Sequence, residues 1–162
     1  MSAIVEILES FAANRKLTTD LLDSVTSEDL HCKFPRPGLD TIAKHIREMA
    51  AVQSAFVQAA KEGTMDFSAV PDVDAFEDAD AAILKAELDQ ADASMNLEAL
   101  SDSSCPDVIW DGEPISLEKH LVSLVAHEVF HQGMITMMLY YFGVKLPDTW
   151  VDSWALPQVH TA

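Results

Sequence analysis

The chain has 162 residues, 49% of them hydrophobic, with 5 Gly and 7 Pro, which is about one domain's length and enough apolar mass for a core. Ten Lys and Arg stand against 27 Asp and Glu, a formal net charge of −17, which argues against nucleic acid or an anionic membrane as a partner, since both need cationic neutralisation of phosphate. Cys32 and Cys105 make neither a disulfide framework nor a C-x-x-C pattern, and the N-terminus has no basic n-region; one domain over residues 1–162 in the cytoplasm is the expectation.

Helical periodicity dominates. A first helix is predicted from Ser2 to about Val25, with Ile4, Ile7, Leu8, Phe11, Leu17, Leu21 and Leu22 on its inner stripe. Thr26-Ser27-Glu28 and the Pro35-Arg36-Pro37-Gly38 turn end it. A second helix runs from Asp40 to Glu62 through Ile42, Ile46, Met49, Gln53, Phe56 and Ala60, and Gly63 stops it. The link after Gly63 contains Pro71 and has little periodicity. Residues 66–92 hold nine acids against Lys85 alone, and without the D-x-D-x-D-G order they form a solvated face, not a calcium loop. A third helix spans Asp78 to Leu100. Asp111-Gly112 between short apolar runs signals a hairpin, with Pro114 confining its second arm to an edge. Ser116 is placed to cap a fourth helix that reaches Phe142, where Gly143 and Pro147 end it. The tail carries Trp150 and Trp154, which suggests that it packs.

Leu121 to Phe142 is long enough to cross a bilayer, but it would place His127, Glu128, His131 and Gln132 in hydrocarbon, so it reads as a buried helix. The four helices would each be ~35–39 Å long at 1.5 Å rise. A link of about 15 residues can extend ~50 Å, enough to run the length of a bundle and leave the second and third helices parallel. The expected fold is therefore all-α, a four-helix bundle with a long crossover between helices 2 and 3.

His127 and His131 lie four apart on one face of the fourth helix, in a stripe with His120, Leu124, Met134 and Met138. Imidazoles in so apolar a setting need partners, and a shared metal ion supplies one. His120 is ~10 Å below His127 along the axis, too far to join. His127-Glu128-Val129-Phe130-His131 also reads H-E-x-x-H, but no glutamate follows Glu128, and Met134 and Met137 occupy the positions of the extended pattern, which argues against a metallopeptidase. His45, at the edge of the second helix's apolar stripe, is the candidate third ligand. Glu48, one turn on, is a weak candidate for proton transfer, a surface charge being the competing reading. His31 and His160 are given no role, and neither cysteine has a neighbouring base.

The sequence resembles the DinB/YfiT-like metalloenzyme family over almost its whole length. The resemblance rests on Asn14-Arg15, Leu21-Leu22 and Ser27-Glu28-Asp29-Leu30, on Leu39-x-x-Ile42-x-x-His45-Ile46, and on His127-Glu128-x-x-His131-Gln132-Gly133 with the Gly143 to Pro147 exit. It implies a four-helix bundle whose metal ligands are His45, His127 and His131, with water in an open position. The chain departs from the Arg-Gly-Gln that often follows the family's last histidine.

The expected cofactor is one divalent ion, zinc first, with nickel, iron or manganese also compatible with the three imidazoles. Such an ion lowers the pKa of water, giving hydrolysis, or of an incoming thiol, giving S-transfer. The resemblance favours the latter, because relatives include transferases dependent on low-molecular-weight thiols. The expected function is a metal-dependent thiol transferase or hydrolase of small molecules; the alternative is a non-catalytic metal or small-molecule binding module. The fourth helix is apolar nearly all round, with Val122, Val125, Val129, Thr136 and Tyr140 opposite the histidines, which suggests a homodimer through it, or coverage by the tail.

Overall fold

Helix α1 spans Ala3–Ser24 and buries Ile4, Leu8, Phe11, Leu21 and Leu22 along one stripe; the computed structural model describes residues 3–95, Leu100 and residues 107–158. A one-turn helix, α2, follows at Ser27–His31, where the sequence suggested only a stop. Thr26 and Asp29 form it as a capping box, each side chain meeting the other's backbone N–H. Helix α3 covers Ile42–Glu62 between a Thr41 cap and Gly63, whose φ of 76° is the left-handed conformation that closes a helix. The link contains a single 3-10 turn at Val73–Ala75. Helix α4, Ala81–Ser94, begins three residues later than Asp78 because the Asp80 carboxylate accepts from the Ile83 N–H and fixes the cap there. Its expected continuation through residues 96–99 lies outside the described residues.

Strands β1 (Val108–Trp110) and β2 (Glu113–Ile115) pair antiparallel with Ile109 opposite Pro114. The positive φ of Asp111 and Gly112, 51° and 84°, is that of the two-residue hairpin turn expected from the sequence. The start of the long link is tied to this ribbon: the Met65 N–H donates to Ile109 O and the Ile109 N–H to Gly63 O, both at 2.9 Å. Helix α5 then runs Leu117–Phe142 and α6 Asp148–Trp154. Trp150 is fully buried, and its indole N–H donates to Leu17 O at 2.7 Å, so the tail packs as its tryptophans suggested.

Directions follow from who meets whom. Arg47 reaches Glu87, Gln53 reaches Asp92 and Lys61 reaches Ser94, so α3 and α4 are parallel, as the crossover requires. His45 meets His131 and His120 meets the Phe56 carbonyl, so α5 runs against α3. Thr18 meets Glu128 while Ile4 and Leu8 pack with Leu117 and Leu121, so α1 and α5 are parallel neighbours. The result is an all-α four-helix bundle with its long connection between α3 and α4.

α5 buries Leu121, Leu124, Ile135, Met138 and Leu139 together with polar Glu128, His131 and Gln132. No helix among the described residues is long and apolar enough to cross a membrane. Of the side chains expected opposite the histidines, only Val122 is exposed. Val125, Val129 and Tyr140 are half-buried, and Thr136 is buried with its hydroxyl donating to Gln132 O. A different set faces outward, and it is taken up below.

Candidate metal centre

α3 and α5 cross with their polar positions facing each other. On α3, His45 and Glu48 lie one turn apart; on α5, so do His127 and His131. Antiparallel packing sets His45 against His131 and Glu48 against both α5 histidines. Glu48 Oε2 lies 3.2 Å from His127 Nε2 and 2.8 Å from His131 Nε2, and the two Nε2 atoms are 3.1 Å apart. These three donor atoms form one compact group. Two ligands ~2.0–2.2 Å from one divalent ion, at angles between octahedral and tetrahedral, stand ~2.9–3.5 Å apart, so the triangle has the size such an ion needs.

The hydrogen bonding supports the same reading. Glu48 Oε2 is buried and has no partner of proper hydrogen-bond geometry among the described residues, although two ring nitrogens crowd it. Burial pushes the Glu48 carboxyl up, but the imidazoles of His127 and His131 beside it outweigh that and hold it down at about 2. It is therefore an anion throughout the neutral range. Two imidazoles and one carboxylate are a donor set that suits a divalent transition metal.

His45 is fully buried. Its Nδ1 lies 2.9 Å from His131 Nδ1, and the Leu39 backbone is a further hydrogen-bonding neighbour of the ring, although no partner of strict geometry reaches Nε2 among the described residues. Burial, with smaller contributions from the neighbouring His131 and Arg36, drives its pKa down to about 4, so the ring is neutral. A neutral ring can accept the Nδ1–H of His131, which leaves the His131 Nε2 lone pair free to face Glu48 and His127. All four sequence candidates thus meet in one place. The convergent trio is Glu48, His127 and His131, with His45 behind His131.

Glu128 points the other way. Its carboxylate accepts from the Thr18 hydroxyl at 2.9 Å and lies 3.4 Å from Arg15, on the α1 side of α5. It has no part in the centre, which removes the general base that an H-E-x-x-H peptidase would need.

A cleft of about 680 Å³ opens beside Glu48 and His127. Its walls are Val52, Phe56, Phe67, Val70, Trp110 and Phe130; Asp72 adds a second carboxylate, and among the described residues neither Lys nor Arg lines it. Phe56, Phe67 and Trp110 meet edge to face, with centroids 5.4 to 6.2 Å apart. Sequence reasoning did not assign this wall. Phe67 sits in a stretch without periodicity, and only the hairpin signal around Trp110 hinted at an ordered element there.

The DinB family model matches residues 1–155 of the chain. Among solved structures, a DinB-like protein from Bacillus cereus ATCC 10987 is similar at a TM-score of 0.63 and 19% identity, over 87% of this chain and 93% of that one. No curated protein matches significantly.

Proposed function

The chain belongs to the DinB family, and from that premise we propose that it is a metal-dependent enzyme acting on small molecules, a thiol transferase or a hydrolase. One observation carries the reading: three lone-pair atoms converge at the edge of a cleft large enough for a small substrate. A divalent ion there supplies Lewis-acid chemistry, lowering the pKa of water or of a thiol. The chain's own residues do the rest. Glu48, His127 and His131 present the donors, and His45 fixes the ring orientation of His131. The aromatic wall excludes water from one side of the centre and takes the apolar part of a substrate. With Glu48 and Asp72 as its charged groups, the cleft favours uncharged or cationic molecules over polyanions.

The test has two stages. Elemental analysis of protein purified without a His tag is expected to give one equivalent of divalent metal, zinc first, with nickel, iron and manganese compared by reconstitution. Glu48→Gln, His127→Ala and His131→Ala are each expected to abolish binding, and His45→Ala to weaken it about 10–100-fold. Loss of binding in His45→Ala equal to that in His127→Ala would make His45 the direct ligand that the motif order implies. Electrophiles are then assayed with bacillithiol, mycothiol and glutathione, alongside esters and amides without thiol. Bound metal with no turnover in any arm would leave a binding module.

A further inference from the structure

We propose that the outer face of α5 is the contact surface of a two-fold homodimer in which the helix packs antiparallel on its own copy. Between His120 and Phe142 the exposed positions of α5 are Val122, Ala126, Phe130, Gly133, Met137 and Tyr141, spaced 4, 4, 3, 4 and 4. Val122 is 51% exposed, Phe130 63%, Met137 61% and Tyr141 62%, which makes this the main run of exposed large apolar side chains on one helix. The stripe carries no charge on a chain whose net charge is −17.

The order of side chains says what covers it. About a two-fold axis through the midpoint between positions 131 and 132, the stripe pairs with itself as Val122 with Tyr141, Ala126 with Met137, and Phe130 with Gly133. Every pair sets a large side chain against a smaller one, the interdigitation that close helix packing needs. A different protein would place no such constraint on both halves of the stripe. Gly133 supplies an independent observation. A Cβ built there meets nothing within 4 Å, so nothing inside the protomer requires glycine in mid-helix, where it is a poor helix former. The pairing does require it, because the partner's Phe130 sits at that point.

The area is sufficient. Four side chains more than half exposed offer on the order of 500 Å² per copy, or about 1,000 Å² in all, the lower bound for a specific interface. The interface also borders the cleft. Ala126 and Phe130 belong to both, so the pairing lays the partner's Met137 and the partner's Gly133 along the α5 wall of the cleft beside His127. The two clefts then flank the axis, each with one wall backed by the other copy.

Sedimentation velocity on the full chain is the first test. The expected species at about 100 µM is twice the 17.8 kDa chain mass. Gly133→Glu meets no atom within the protomer but buries two carboxylates at the axis, and should raise the dissociation constant at least about 100-fold with the circular dichroism spectrum unchanged. A register test needs no destabilising change. With Cys32 and Cys105 replaced by Ser, chains carrying Ala126→Cys and chains carrying Met137→Cys should crosslink when mixed, while neither crosslinks alone. A monomer at that concentration, a dimer indifferent to Gly133→Glu, or crosslinking of Ala126→Cys to itself would each overturn the proposal.

Discussion

α5 has a polar cluster on each side, and the two are built on opposite principles. Toward α1, Arg15 lies among Glu128, Asp92 and Gln53, and Gln132 and Thr18 fill the remaining space. That cluster contains its own cation. Toward α3, Glu48, His127, His131 and His45 come together with no ion pair to Lys or Arg among the described residues. Burial raises the Glu128 carboxyl against the opposing pull of Arg15, whereas the Glu48 carboxyl is held far down by the imidazoles around it. Two adjacent residues of one motif, His127 and Glu128, therefore serve opposite ends: one cluster contains its own cation and the other could hold an added one.

The closed side is the easier to break. Arg15→Ala strands Glu128 without its cation, and urea denaturation at pH 7 is expected to show a loss of about 3–5 kcal/mol. Next in size is the response of the open side. Metal at 100 times its dissociation constant stabilises the native state by about 2.7 kcal/mol, which is roughly 5–10 °C in melting temperature for a chain of this length. His127→Ala should abolish that increment and Arg15→Ala should keep it, because the two clusters share no ligand; failure of the second would show them to be coupled.

His120 sharpens the contrast as a buried polar group with no charge at all. It stacks on Phe56, its Nε2 donates to Phe56 O at 2.9 Å, and burial holds its pKa below the ordinary value. The unfolded chain then binds a proton that the native state refuses. Its contribution is whole above about pH 6.5 and is lost as pH falls. In metal-free protein, the stability gap between wild type and His120→Gln should therefore narrow by roughly 1 kcal/mol per pH unit on acidification. The smallest effect belongs to a pair near the bundle's surface. The hydrogen bond from Lys44 lowers the Asp40 pKa, so Asp40→Asn is expected to cost about 0.5 kcal/mol at neutral pH, fading as pH falls through the carboxylate range.

The difference between the clusters also explains what the sequence could convey. His127 and His131 were readable because four residues on a helix is a local distance, and the α5 cap at Ser116 and stop at Gly143 are equally local. The parallel course of α3 and α4 was readable from link length alone. Glu48 was undervalued because its angle on an isolated helix pointed toward solvent, and only the crossing with α5 covers it. Arg15 and Glu128 are far apart in sequence, and nothing in either segment announces the other. The α5 outer stripe was misjudged by about a quarter turn for a related reason: which flank of an all-apolar helix is covered depends on α1 and α3, not on the helix itself.

The arrangement of the ends has a consequence for biogenesis. α1 is made well before its neighbours α5 and α6, with Trp150 reaching back to the Leu17 carbonyl. His45 and Glu48 likewise leave the ribosome some 80 residues before His127 and His131 can join them. A nascent chain therefore holds the apolar faces of α1 and α3 without the cover of α5 until α5 has emerged, and closure waits on these sequence-distant contacts. The emergence of α5 is thus the event that brings Glu48, His127 and His131 together.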